Sequence, residues 1–222
     1  MFNYPTLQTV PFNGYRFYET PGGKFYPSIT TILGQTMAED KVQALKNWQK
    51  ALGALADKKT KDAADHGTAV HLLIERFLRN EDLIQGDNFS NQNMSAFNAL
   101  KLKLKNIDEV WGQEVALYSD ILELAGRCDC VGVYKGVPSI IDFKTSGKIK
   151  NSERVEDYRL QLTAYALMHN ELFGTDIEQG IILMTSEGGF PQEFKVNLLE
   201  YVEPLVERIQ LFYERLEQKL GE

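Results

Sequence analysis

Near residue 110 of this 222-residue chain, the spacing of apolar side chains changes from the helical period to the strand period. A chain patterned in this way has few folds open to it. Upstream, residues 38–79 read as helix with breaks near Gly53 and Thr60. Val42, Leu45, Trp48 and Leu52 mark one apolar stripe, and Val70, Leu73, Ile74, Phe77 and Leu78 mark another. Residues 80–90 read as a loop, and residues 91 to about 108 as a further helix. Downstream, 114–118, 124–134 and 137–145 read as strands, the last two joined by a tight turn at Lys135-Gly136. A long helix from about Glu153 to Phe173 follows, then short strands at 179–185 and 193–196, and a closing helix over 199–220. The N-terminal segment carries Tyr15-Arg16-Phe17-Tyr18, a break at Pro21-Gly22-Gly23, and then Phe25-Tyr26-Pro27; it reads as a small hairpin of about 25 residues. Ser28 is placed to cap a short helix after it. Such an order packs most naturally as a mixed sheet flanked by helices, which is α/β or α+β. No Pro/Ser-rich linker divides the chain, so one domain is expected.

Composition excludes several classes. Cys128 and Cys130 are the two cysteines, too few for a four-thiolate zinc or iron–sulfur site and badly spaced for bridging each other. A reducing, cytoplasmic compartment is the expectation. No apolar stretch approaches the roughly 20 residues that cross a bilayer, and no basic-then-apolar leader opens the chain. No membrane partner is therefore expected. The balance of 24 Lys+Arg against 31 Asp+Glu, a formal charge of −7, argues against sequence-independent coating of nucleic acid. The charge is uneven, however. Residues 41–61 hold six lysines (Lys41, Lys46, Lys50, Lys58, Lys59, Lys61) against Asp57 alone, and Lys101, Lys103 and Lys105 alternate further on. Residues 199–222 hold six acids against three bases.

The chemistry concentrates in the strand pair joined at Lys135-Gly136. Asp129 sits within one apolar strand and Asp142 ends the apolar run of the next, both toward the end away from the turn. Carboxylates brought together on a half-buried sheet repel, and a hard divalent cation relieves that repulsion. Asp142 and Lys144 are two residues apart and share a strand face, so an ammonium points into the same place. Two acids, a metal and a lysine suit phosphodiester hydrolysis, whereas a lone Asp-x-Lys is usually a solvent-facing strand end. Gly67 and His71 lie on one helix face at i, i+4, as do Gln161 and Tyr165. Taken alone, each pair reads as ordinary helix polarity.

Together these residues form an ordered set: Gly67-x-x-x-His71, then Glu114, Gly126-x-x-Asp129, Asp142-x-Lys144 and Gln161-x-x-x-Tyr165. The set resembles the PD-(D/E)xK nuclease superfamily, and within it the RecB-like exonuclease branch with its mitochondrial and phage exonucleases. Pro27-Ser28-Ile29-Thr30 resembles a further motif of that branch. The resemblance implies a restriction-endonuclease-like core and Mg²⁺- or Mn²⁺-dependent cleavage of DNA. It implies metal binding by His71, Asp129, Asp142 and the Phe143 carbonyl, a water positioned by Lys144, and a site steadied by Gln161 through Lys144. Substrate phosphate would meet Tyr165, Ser28 and Thr30, and Glu114, on the strand before Asp129, would be a further participant. The lysine-rich helices, with Lys46, Lys50 and Lys58, would wall a passage for single-stranded DNA. Residues 1–110 would then be the hairpin and helical substrate-binding part, 111–198 the catalytic core and 199–222 a closing helix. The cysteine count excludes the iron–sulfur cluster of some relatives, and no Walker motif is present for ATP. A structure-specific endonuclease and a catalytically silent nucleic-acid-binding module are the competing expectations.

Overall fold

The computed structural model describes residues 2–84, 86–151, 155–186 and 188–221. Its first sheet is antiparallel: β1 (Gln8–Phe12), β2 (Tyr15–Glu19) and β3 (Phe25–Pro27). The predicted hairpin thus gains a strand. Pro11 confines β1 to the sheet edge, and Asn13-Gly14, both at positive φ, makes the turn into β2. Ser28 caps α1 (Ile29–Gln35) as predicted, its hydroxyl accepting from the Thr31 amide at 3.0 Å. α2 (Glu39–Leu52) and α3 (Ala54–Leu78) join at Gly53, whose φ of 53° suits a residue without a Cβ. The break predicted at Thr60 is absent. Its hydroxyl donates to the Ala56 carbonyl one turn back, at 2.9 Å, and the helix continues.

α4 (Asn91–Leu104) ends before the predicted 108, because Ile107 already begins β4 (Ile107–Ser119). β5 (Leu124–Tyr134) and β6 (Val137–Ser146) complete an antiparallel meander. α5 (Glu156–Phe173) then crosses over to β7 (Gln179–Ser186), which lies parallel to β6, and β8 (Phe190–Asn197) returns antiparallel. The predicted helix start at Glu153 lies outside the described residues. A 3₁₀ turn at Leu198–Tyr201 leads into α6 (Val202–Gly221). The resulting mixed sheet, in the order β4-β5-β6-β7-β8 and flanked by helices, is the α/β architecture read from the periods. Among the described residues, no helix is long and apolar enough to cross a membrane.

Each sheet face has its own core. On one side α1, α5 and α6 bring Ile29, Ile32, Leu162, Leu205 and Phe212 against Val131, Ile140 and Ile182. On the other, Val70, Leu73 and Ile74 of α3 and Phe97 and Leu100 of α4 cover Ile141, Phe143 and Leu183. Lys103 and Lys135 both grip Glu193, at 2.8 Å each, tying α4 and the β5–β6 turn to β8. The stripe on α2 departs from expectation. No α2 residue is buried, and Leu45 and Trp48 are 46% and 39% exposed. Periodicity showed which face of α2 is apolar, but among the described residues that face is only partly covered: Val42 and Leu52 are half-buried and Leu45 and Trp48 stay open. The N-terminal aromatics divide: Phe17, Tyr18 and Tyr26 are core, whereas Phe25 is exposed.

Candidate active site

The antiparallel ladder between β5 and β6 runs from Tyr134↔Val137 to Cys130↔Ile141 and stops there. The next rung would pair Asp129 with Asp142. At this point the pleat of β5 slips. Cys128 packs under α5, whereas Cys130 packs on the α3 side, so side-chain alternation breaks across Asp129. Both thiols are free and buried, and burial pushes them upward, Cys130 to about 12. Beyond the slip, Phe143 of β6 keeps its backbone groups satisfied by side chains instead of β5. Its amide donates to Asp129 Oδ2 at 2.9 Å, and its carbonyl accepts from His71 Nε2 at 2.8 Å. The candidate site is therefore a gap in the sheet, closed on its floor by the side chains of Asp129 and His71.

Opposite Asp129 in register stands Glu114, between the pairs Gln113↔Cys130 and Val115↔Cys128. Its φ of 50° is the left-handed region, rare within a strand and costly for a side chain with a Cβ. The result is a cluster. His71 Nδ1 lies 3.8 Å from Asp129 Oδ2 and 4.0 Å from Glu114 Oε1, and donor atoms of the three lie within 4.8 Å of one another. With Nε2–H committed to the Phe143 carbonyl, Nδ1 presents its lone pair to this cluster. Burial draws the His71 proton affinity down, but Glu114 and Asp129 outweigh it and hold the imidazole above its ordinary value. One imidazole and two carboxylates favour a cation among them, which is the test that a divalent ion must pass.

Asp142 and Lys144 face the α5 side of β6, as the shared-face argument predicts, with Nζ 2.6 Å from Oδ1. Asp142 is 1% exposed and its Oδ2 has no hydrogen-bond partner among the described residues. Burial pushes this carboxyl upward. Burial would lower Lys144, but the Asp142 and Asp129 charges reverse this and hold it up at about 12. Gln161 departs from expectation: its amide donates to the Tyr165 hydroxyl at 2.9 Å, while the ammonium of Lys144 is taken by Asp142. Tyr165 itself is 2% exposed, enclosed against Gly126, so it offers no open phosphate contact. A Cβ at Gly126 would stand 2.8 Å from the Tyr165 ring, which explains the glycine three residues before Asp129. Gly67 is different: a Cβ there meets Thr145 Oγ1 at an ordinary 3.5 Å, and no backbone of the described residues approaches it closely.

An open cleft of about 620 Å³ lies over the cluster, lined by Gly67, Thr68, His71, Leu72, Glu75, Glu114, Arg127 and Asp129. Arg127 and Glu75 were missed from the sequence, although Arg127 is two residues from Asp129 on a strand and Glu75 four from His71 on a helix. Arg127 donates to the Glu114 carbonyl at 3.3 Å. Ser28 is fully buried and spent on capping, so it presents no hydroxyl to a phosphate, whereas Thr30 is exposed and accepts from Arg16 at 2.6 Å. Lys46, Lys50 and Lys58 are exposed and, among the described residues, lie in no ion pair. Lys41 pairs with Glu156 and Asp157 at the start of α5.

The chain is similar to several known proteins. Mitochondrial genome maintenance exonuclease 1 of Homo sapiens is 27% identical over 173 residues, covering 74% of this chain and 50% of that one. The Mus musculus protein of the same name is 28% identical over 174 residues, covering 74% and 51%. The chain thus spans about half the length of the curated relatives it matches. Among solved structures, a candidate exonuclease from Eubacterium rectale aligns over 67% of this chain and 66% of its own, at 12% identity and a TM-score of 0.47. The family model for PD-(D/E)XK nucleases matches residues 94–219, more than half of the chain and all of it from α4 into α6. The chain belongs to the PD-(D/E)XK nuclease superfamily.

Proposed function

We propose that this chain is a divalent-metal-dependent exonuclease that hydrolyses DNA, preferring single strands and requiring a free end. The observation that carries it is the gap between β5 and β6, where His71, Glu114 and Asp129 converge beside the Asp142–Lys144 pair. His71, Asp129 and Glu114 would hold Mg²⁺ or Mn²⁺, joined by the partnerless Oδ2 of Asp142, whereas the Phe143 carbonyl, named as a ligand by the resemblance, is taken by His71 Nε2–H. When bound, the cation supplies charge to the scissile phosphate and acidifies a water. Asp129 has one oxygen on the Phe143 amide and its other free for a ligand. Lys144, kept as ammonium by Asp142, would orient the attacking water and steady the charge that develops on phosphorus oxygens. Gln161 would act through Tyr165, and the two fix α5 behind the site. Thr30 and Arg127 would meet flanking phosphates, and Lys46, Lys50 and Lys58 would guide the strand. In this reading the chain works as one domain, with residues 1–110 binding substrate, 111–198 cutting and 199–222 closing the α5 face.

The relatives named above are exonucleases, which supports cutting from an end. The free buried cysteines suit a reducing compartment such as the cytoplasm. End-labelled linear and circular single-stranded DNA, incubated with Mg²⁺, with Mn²⁺ and with chelator, test the proposal. Linear substrate should be degraded with metal and spared with chelator, while circular substrate persists. Cleavage of circles would mean an endonuclease, and no cleavage with either metal would leave a silent binding module. Lys144→Ala should lower the rate at least about 10²-fold with DNA still bound.

A further inference from the structure

Lys144 meets, besides Asp142, an aromatic ring that belongs to none of the motifs read from the sequence. Its Nζ lies 5.2 Å from the centroid of the Tyr158 ring, in the first turn of α5. Tyr158 stands three residues before Gln161 and seven before Tyr165, so the three share one face of α5. Gln161 and Tyr165 are paired with each other. Tyr158 is half-buried and packs against the core on the α5 side of the sheet, the side that Asp142 and Lys144 face. Lys144 is thus held at two points, a carboxylate and a ring.

The ring itself is braced. Lys150, in the segment after β6, donates from Nζ to the Tyr158 hydroxyl at 2.8 Å. One side chain of β8 fixes the Lys150 backbone on both sides: its amide donates to Gln192 Oε1 at 3.0 Å, and its carbonyl accepts from Gln192 Nε2 at 2.7 Å. A continuous set of contacts therefore runs from β8 through Lys150 and Tyr158 to the ammonium of Lys144.

A ring and a hydrogen-bond acceptor hold an ammonium differently. The lysine ammonium carries three N–H donors, and Asp142 Oδ1 takes one at 2.6 Å. That single tether leaves Nζ, on its flexible four-carbon stem, free to swing about the oxygen. An aromatic face attracts the charge through its quadrupole and uses up no directed donor. It narrows the swing while leaving two N–H groups for a water and a phosphate oxygen.

We propose that Tyr158 is a positioning residue for Lys144, holding the ammonium over its ring face, and that Lys150 braces that ring through the hydroxyl. The inference rests on the nuclease reading, which gives Lys144 its water and its developing charge to serve; Tyr158 acts only through Lys144.

Steady-state cleavage of end-labelled single-stranded DNA with Mn²⁺ tests the role. Tyr158→Leu, which keeps apolar packing and removes the ring, should lower kcat about tenfold and leave KM within about twofold. Tyr158→Phe, which keeps the ring and loses the hydroxyl, should recover all but about two- to threefold of the rate. In a Lys144→Ala background, followed in long single-turnover incubations, Tyr158→Leu should cost nothing further. A second readout does not depend on cleavage. In protein labelled with [ε-¹³C]lysine, the Lys144 ε-methylene signal, identified by its loss in Lys144→Ala, should be displaced by the ring. It should return toward the ordinary lysine position in Tyr158→Leu and stay displaced in Tyr158→Phe. Tyr158→Met takes the place of Tyr158→Leu if circular dichroism shows the latter unfolded. Tyr158→Leu cutting as fast as Tyr158→Phe, an equal loss in both backgrounds, or a Lys144 signal indifferent to the ring overturns the proposal. Failure of the nuclease reading is seen separately, as absence of cleavage by the unaltered chain with either metal; the Lys144 signal then still decides whether Tyr158 holds it.

Discussion

Asp129 holds two positions at once, one in the proposed metal cluster and one as the rung that replaces a backbone pair at Phe143. Removing it should therefore cost stability as well as activity. Asp129→Ala should lower the unfolding free energy by about 1.5–3 kcal/mol, the usual worth of a hydrogen bond to a charged group. Asp129→Asn retains an acceptor and should lose much less, with cleavage abolished in both. Equal denaturation midpoints for the two variants would refute the rung. Glu114 makes the opposite bargain, holding a left-handed backbone in order to deliver its carboxylate. Glu114→Gly should be more stable than Glu114→Ala by about 1 kcal/mol, because glycine relieves that conformation and alanine does not. Both should weaken Mn²⁺ binding measured by calorimetry. A Gly variant no more stable than the Ala variant would remove strain from the account.

At the scale of elements, α2 and the first half of α3 stand apart from both cores, with Leu45, Trp48 and the free lysines toward solvent. Lys58 precedes His71 by 13 residues along one helix, which puts it about 20 Å from the site at 1.5 Å per residue. Changing Lys46, Lys50 and Lys58 together to Glu should weaken single-strand binding and reduce the slope of log K against log salt by about 2. An unchanged slope would exclude these helices from the substrate path. The contrast with β5 and β6 shows what the sequence could disclose. Lys135-Gly136 sets the register of β5 and β6, so the gathering of Asp129 and Asp142 at the end away from that turn was legible, whereas the slip of β5 that ends the ladder before they pair was not. Lys144 beside Asp142 followed from strand alternation. Glu114 was only half legible, since a positive φ inside a strand leaves no mark in composition. Trp48 misled because period reports an apolar face and not whether anything packs on it. β1 escaped notice through Pro11, although Asn13-Gly14 is a strong hairpin signal.

For the molecule as a whole, acid stability should turn on His169. It is fully buried among Phe2, Tyr4, Trp111 and Phe173, its ring nitrogens paired with Tyr4 and Thr175, and burial lowers it to about 4. An unfolded histidine titrates near 6.5, so between those values the unfolded chain takes the proton and the folded chain refuses it. Its contribution is complete above pH 6.5 and falls by about 2–3 kcal/mol as pH drops to 4. His71, held upward by its acids, works in the other direction and loses its contribution as pH rises. The useful quantity is thus the difference between the unaltered chain and His169→Gln, whose melting temperature should decline less between pH 6.5 and pH 4. Parallel declines would contradict the assignment. The doubled duty of Asp129 has a last consequence, for the order in which such a chain can decay. A lineage released from selection for cutting can discard Lys144, an end group that no backbone depends on, but discarding Asp129 opens the sheet. Inactive descendants of this fold should therefore have lost the lysine first and kept the aspartate long after it had anything to catalyse.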